Sequence, residues 1–150
     1  MDIQVLRGNF PARIDAKGRL KVPSAFRSSI ENEHGVELFV TSLTGEYVRI
    51  YPMPVWLALE SKLTLMPSAH PSRMRFLERV NFFGQPAEMD RQGRVLIHGH
   101  LRESASCIGE VAVLGKVSHL DVWNDERFRT KLKHDKFTEA DALALAEYGV

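Results

Sequence analysis

The sequence predicts an α+β fold in which two copies of one β-rich unit, each with short helices, are related by a pseudo-twofold and share a single core. Three observations lead there. Pro11, Ala12, Asp15, Gly18, Arg19 and Arg27 recur as Pro86, Ala87, Asp90, Gly93, Arg94 and Arg102, without a gap and 75 residues further on. The repeated segments alternate polar and apolar residues, as half-buried strands do. The chain has 150 residues, 44% of them apolar and 26% charged, which suits one ordinary domain or two very small ones. A unit of roughly 60 residues sits at the lower limit of independent folding, so the two copies are expected to pack together.

In the first copy, Arg13-Ile14-Asp15 and Arg19-Leu20-Lys21-Val22 read as two strands joined by a tight turn. The Asp can accept from backbone donors two residues on, and the Gly tolerates positive φ. Pro23-Ser24 opens a short helix expected to reach about Ile30. Phe39-Val40-Thr41 and Tyr47 to Tyr51 form a hairpin around Thr44-Gly45. Pro52 and Pro54 start a helix carrying Trp56, Leu57, Leu59 and Leu63. Met66 to Pro71 breaks the chain, and a helix over Ser72–Val80 leads into the second copy.

There Val111 to Leu114 aligns with Val36 to Phe39. Leu120 to Trp123 aligns with Val48 to Tyr51, which places a three-residue shortening in the intervening loop. Tyr51 and Trp56 match Trp123 and Phe128, and apolar neighbours assign all four to packing. Thr138 to Tyr148 reads as an acidic, Ala-rich helix that is amphipathic or loosely attached. The organisation is thus a first repeat at 1–66, a linker helix at 67–82, a second repeat at 83–136 and an acidic tail at 137–150.

Net charge is only +1, yet it is a cancellation. Arg7 to Arg27 holds six basic residues and one acid, and Arg73 to Arg102 six and three. Arg127 to Lys136 holds five and one, which a solvated helix face explains, while the blocks between are acidic. The first two basic blocks contain the two Asp-x-x-Gly-Arg turns, a local footprint of the kind nucleic-acid binders carry. An arginine on a rigid glycine turn offers a planar fork for guanine edges or phosphates. Arg7, Arg13, Lys17, Lys21, Arg27 and Arg91 would supply phosphate contacts around it. Asp15 and Asp90 would cap the turn or fix the neighbouring arginine. A plain structural ion pair in a duplicated turn accounts for the same residues.

The run Ile14-Asp15-Ala16-Lys17-Gly18-Arg19-Leu20-Lys21-Val22-Pro23-Ser24-Ala25-Phe26-Arg27, together with Met89 to Ile97 and Leu101-Arg102, resembles the MraZ family. The resemblance covers nearly the whole chain. It implies two tandem AbrB-like, β-barrel-type repeats, assembly into ring-shaped homo-oligomers, and sequence-specific binding of double-stranded DNA. It further implies a regulator of the division and cell-wall gene cluster that acts at repeated sites upstream of its own operon, repressing it. Arg19 and Arg94 are then the base readers, with Lys17, Arg13, Lys21, Arg91 and Arg7 on the backbone. Asp15, Gly18, Asp90 and Gly93 build the turns. The second copy departs from the first at one point, having Ile97-His98-Gly99 where the first has Val22-Pro23-Ser24.

Enzymatic signatures are missing: no nucleophile elbow, Walker loop or HExxH occurs. Of six histidines only His98 and His100 are close, with no Cys or convergent acids beside them, so neither a metal nor a cofactor is expected. Cys107, the sole cysteine, reads as a small buried residue and suits a reducing compartment. The start, Met1 to Arg7, lacks the basic and long apolar regions of a signal peptide, and no stretch could span a membrane. A cytoplasmic, nucleoid-associated protein with no small-molecule substrate is expected. The competing expectation is a non-enzymatic ring module that contacts acidic protein partners and has no specific DNA target.

Overall fold

Both copies follow the same order of elements in the computed structural model, which describes residues 5–150; Met1 to Gln4, where the N-terminal reading begins, lie outside the described residues. The first copy comprises β1 (Asn9–Ile14), β2 (Arg19–Lys21), α1 (Ser24–His34), β3 (Glu37–Thr41), β4 (Val48–Pro52) and α2 (Met53–Leu63). After α3 (Pro71–Phe82) come β5 (Gln85–Glu88), β6 (Arg94–Leu96), α4 (Gly99–Ala105), β7 (Gly109–Gly115), β8 (Leu120–Asn124) and α5 (Asp125–His134), followed by α6 (Glu139–Ala146). Helix α1 runs a turn beyond the expected end at Ile30. His98 stands just before α4 with φ −63° and ψ 152°, close to the −51° and 136° of Pro23 before α1, so the second helix begins as the first does. The His98 ring Nε2 lies 2.8 Å from the Phe83 carbonyl oxygen, a hydrogen bond that holds it there without a proline ring.

The eight strands form one antiparallel sheet in the order β5-β3-β4-β8-β7-β1-β2-β6. Four of its seven junctions join strands from different copies: β3 with β5, β4 with β8, β1 with β7 and β2 with β6. The sheet curls so that its ends meet, the Asp90 amide donating to the Arg94 carbonyl at 2.9 Å. The two repeats therefore interleave in one nearly closed barrel. Small units of this size gain most by pooling their apolar faces.

The pairing register exposes the internal symmetry. Leu20 pairs with Val95, and Arg49 pairs with Asp121. Each is a residue facing its own counterpart in the other copy, which puts the pseudo-twofold axis through both pairs. One part of the sequence alignment is corrected here. Gly109 pairs with Ile14, whereas the Val36 carbonyl accepts from Met89, the counterpart of Ile14. Val36 is thus equivalent to Gly109, and Leu38 to Val111, an offset of 73 rather than 75. Two of the three missing residues are lost around the shorter helix α4, 7 residues against 11 in α1, and only one in the hairpin. A two-residue slip preserves inward–outward alternation, so the apolar pattern cannot reveal it.

The barrel interior is a single apolar cluster drawn from both copies, including Leu20, Val22, Phe26, Ile50, Val95, Ile97, Leu101 and Val122. Outside it, Trp56 of α2 stacks on Phe39 of β3 with ring centroids 4.5 Å apart, and Tyr51, Val80 and Phe76 complete this second cluster. The Thr41 hydroxyl donates to the Val80 carbonyl at 2.6 Å and ties α3 to the same strand. Trp123 and Tyr51 are buried as packing residues. No helix among the described residues is long and apolar enough to cross a membrane.

Candidate nucleic-acid interface

The two Asp-x-x-Gly-Arg turns fold identically. Asp15 Oδ1 accepts from the Lys17 and Arg19 amides at 2.9 and 3.0 Å, and its Oδ2 accepts from Arg19 Nε at 2.9 Å. Asp90 does the same with the Gln92 and Arg94 amides, both at 2.9 Å, and with Arg94 Nε at 3.0 Å. The Arg19 amide foremost, with the guanidinium and the Lys17 amide, keeps the Asp15 carboxyl below its ordinary range. The Arg94 amide leads the same effect at Asp90. Both acids are therefore charged near neutrality. The sequence left two roles open for these acids, and here each performs both: it caps the turn and tethers the arginine.

Each turn also leans on the other copy. Gly18 and Gly93 have φ of +86° and +76°. A Cβ on Gly18 would stand 2.6 Å from Arg102 Cζ, and one on Gly93 would stand 2.7 Å from Arg27 Cδ. The positive φ favours glycine at both positions, and a Cβ would displace the arginine that lies over each. The Val22 amide donates to the Gly93 carbonyl and the Ile97 amide to the Gly18 carbonyl, both at 2.9 Å. Arg27 Nη2 donates to the Arg91 carbonyl at 2.7 Å while its Nε donates to Glu31 at 3.0 Å, and Arg102 Nε donates to the Ile97 carbonyl at 2.7 Å. Arg27 is thus a brace on the opposite turn, not the free phosphate ligand that its place in a basic block suggested. The signal was present in the sequence: Arg27 and Arg102 are identical repeat matches.

Strands β2 and β6 pair as a short antiparallel ribbon, Arg19 opposite Leu96, Leu20 opposite Val95 and Lys21 opposite Arg94. Leu20 and Val95 are fully buried. By strand alternation, Arg19, Lys21, Arg94 and Leu96 share the outer face. Arg19 and Arg94 are diagonal neighbours, their positions about 7–8 Å apart. Because each commits only Nε to its aspartate, the two Nη groups of both arginines make no hydrogen bond among the described residues. The result is a pair of tethered, part-exposed forks on one ribbon.

Lys17 and Arg91 are exposed at the two turn tips, and Lys21 is exposed on the ribbon. Arg13 is exposed on β1, 3.8 Å from Glu110, which offsets its charge. Arg7 is not brought to this cluster. It precedes β1 at the end remote from the turn, beside Gly115, and eight residues of extended chain put it about 25 Å away. His98 and His100 stack with ring centroids 6.0 Å apart, and no group of three or more metal-ligating side chains occurs among the described residues.

The fold is a barrel assembled from two interleaved repeats, with two tethered arginines on a shared ribbon across an internal twofold. A family model described as "MraZ protein, putative antitoxin-like" matches residues 5–79 and 85–146. The chain is 44% identical over 146 residues to a protein of Acidobacterium capsulatum named "Transcriptional regulator MraZ", covering 97% of this chain and all of that one. A protein of the same name from Koribacter versatilis is 45% identical over 147 residues, with 97% and 100% coverage, and one from Herpetosiphon aurantiacus is 34% identical over 142 residues, with 94% of each. The chain belongs to the MraZ family, one of transcriptional regulators and not of enzymes.

Proposed function

We propose that this chain is a sequence-specific binder of double-stranded DNA that represses the division and cell-wall gene cluster from repeated sites upstream of its own operon. The observation that carries the reading is the placement of Arg19 and Arg94 on one two-stranded ribbon, each with its Nη fork free. A B-DNA major groove about 12 Å wide admits such a ribbon, and two arginines rooted on it as diagonal neighbours about 7–8 Å apart fit within it. Arg19 and Arg94 would each meet a guanine edge, with Lys17, Lys21 and Arg91 on flanking phosphates. Arg13 contributes more weakly beside Glu110, and Arg7 would touch only a distant part of the backbone or a neighbouring site.

One ribbon offers few contacts, so affinity comes from several copies on repeated sites. Two features favour self-association into a ring. Helix α6 buries no residue and leaves Leu143 and Leu145 exposed. A groove of about 890 Å³ beside α3 is lined by Leu43, Phe76, Phe82 and Phe83, with Arg75 and Arg79 outnumbering Glu78, and so suits the acidic α6 of another copy. We read residues 1–66 and 83–136 as the repeats, 67–82 as their connector and 137–150 as the assembling tail, in a cytoplasmic, nucleoid-associated protein.

A gel-shift assay tests the reading, using DNA from just upstream of the gene against a scrambled duplex at near-physiological salt. Preferential binding that disappears in the Arg19→Ala/Arg94→Ala double variant is expected. Unchanged binding by that variant refutes it.

A further inference from the structure

The outer face of the β2–β6 ribbon is a four-cornered array. Arg19 stands opposite Leu96 and Lys21 opposite Arg94. The pseudo-twofold through Leu20 and Val95 exchanges Arg19 with Arg94, and Lys21 with Leu96. Three corners are therefore basic and one is apolar. Leu96 keeps 54% of its surface exposed, and its strand neighbours Val95 and Ile97 are fully buried. A barrel that needs no outward leucine on this strand for its core nonetheless has one beside both arginines.

We propose that Leu96 is a specificity-determining residue that packs on the 5-methyl group of a thymine in the bound site. The assignment rests on the DNA-binding reading above and deepens it. A leucine can neither donate to a base acceptor nor hold a phosphate. In the major groove the one apolar feature on a base edge is the thymine methyl. A ribbon set there by Arg19 and Arg94 brings Leu96, about 5 Å from Arg19 across the pair, to the level of the base edges. The twofold counterpart, Lys21, donates instead of packing. A nearly symmetric reader thereby acquires a direction: the element it recognises carries a thymine on the Leu96 side and an acceptor, guanine or phosphate, on the Lys21 side. Glu88 in place of Arg13 skews the two sides in the same sense, while the two turn tips carry one cation each, Lys17 and Arg91.

Deoxyuridine differs from thymidine only by that methyl, which makes the test a single-group deletion. The probe is the shortest upstream duplex that the protein shifts, with each thymine replaced in turn by deoxyuridine, measured against wild type and Leu96→Ala. Leu96 is exposed, so the variant is expected to fold, and circular dichroism checks this. One thymine per bound element is expected to be sensitive, with wild type losing about fourfold in affinity there, the contribution of one buried methyl. Leu96→Ala binds the thymine and uracil duplexes equally. Upstream DNA preferred by wild type with no sensitive thymine overturns the Leu96 assignment and leaves the DNA-binding reading standing. The same holds if Leu96→Ala keeps the full sensitivity. Equal binding of upstream and scrambled duplexes by wild type overturns both.

Discussion

Replacing Asp15 by Asn separates two explanations of the acid in each turn, because they predict opposite signs. Asn retains an amide oxygen able to accept from the Lys17 and Arg19 amides, now at 2.9 and 3.0 Å, so the turn survives. It loses the charged partner of Arg19 Nε at 2.9 Å. Considered only as charge, the substitution removes a repulsion of phosphate. At a separation of about 8 Å in a watery interface, screened over a Debye length of about 8 Å, that strengthens binding to any duplex by up to about twofold. Considered as positioning, it releases an arginine whose side chain holds about 2 kcal/mol of rotamer entropy. Re-ordering that side chain on a guanine then weakens specific binding by about fivefold to tenfold. The expected outcome of Asp15→Asn is a slightly tighter scrambled duplex and a weaker upstream duplex, with their ratio falling about tenfold. Fluorescence anisotropy with both duplexes at about 0.15 M salt reads the two numbers. Equal strengthening of both would refute the tether and reduce Asp15 to a turn cap.

Lys17→Ala should weaken both duplexes alike and lower the slope of log K against log salt by about 0.9, the signature of one lost phosphate contact in a salt titration. Asp121→Ala should destabilise the fold by about 3 kcal/mol, seen as a lower urea midpoint. Asp121 is buried and accepts from Arg49 Nε and Nη2 at 2.8 and 3.2 Å; burial opposes the Arg49 charge, but these bonds hold its pKa above the ordinary value. The double variant Arg49→Met/Asp121→Leu should recover most of the loss, since no charge is stranded. Burial, and next the Arg49 charge, push His119 down to about 4, and its Nε2 has no hydrogen-bond partner, so at 3.7 Å from Asp121 it is a neutral neighbour and not an ion pair at pH 7. Its folded pKa lies below the unfolded one. Its contribution is therefore complete above about pH 6.5 and is lost as pH falls toward 4, by ~3 kcal/mol. His119→Phe should flatten a urea-midpoint profile across that window, and an unchanged profile would remove His119 as the cause.

Burial raises the Cys107 thiol to about 11, in keeping with its reading as a small buried residue. The repeat, the strand–turn–strand units and both arginines were legible because each depends on residues within a few positions of one another. Asp, Gly and Arg at fixed spacing determine the turn whatever the rest of the chain does. Pro52 and Pro54 marked a helix start for the same local reason, and α3 begins at Pro71, one residue before the expected Ser72. Repeat identity marked Arg27 and Arg102, but not their roles: Arg27 hydrogen-bonds the other copy's turn, and Arg102 lies over Gly18 of the other copy while bonding Ile97 in its own.

What the sequence alone determined, then, is the α+β class, the duplication and the chemistry of each turn. Tertiary structure decided that the copies interleave in one barrel, that Arg49 and Asp121 meet on the axis, and that Arg19, Arg94, Lys21 and Leu96 share a face while Arg7 does not. The reason lies in β pairing. Which strands become neighbours, and in which of the registers two residues apart, is set by long-range hydrogen bonding and the fit of a shared core. Alternation of apolar residues is the same in all of those registers. A local pattern says which way a side chain points, and only the assembled sheet says what stands beside it.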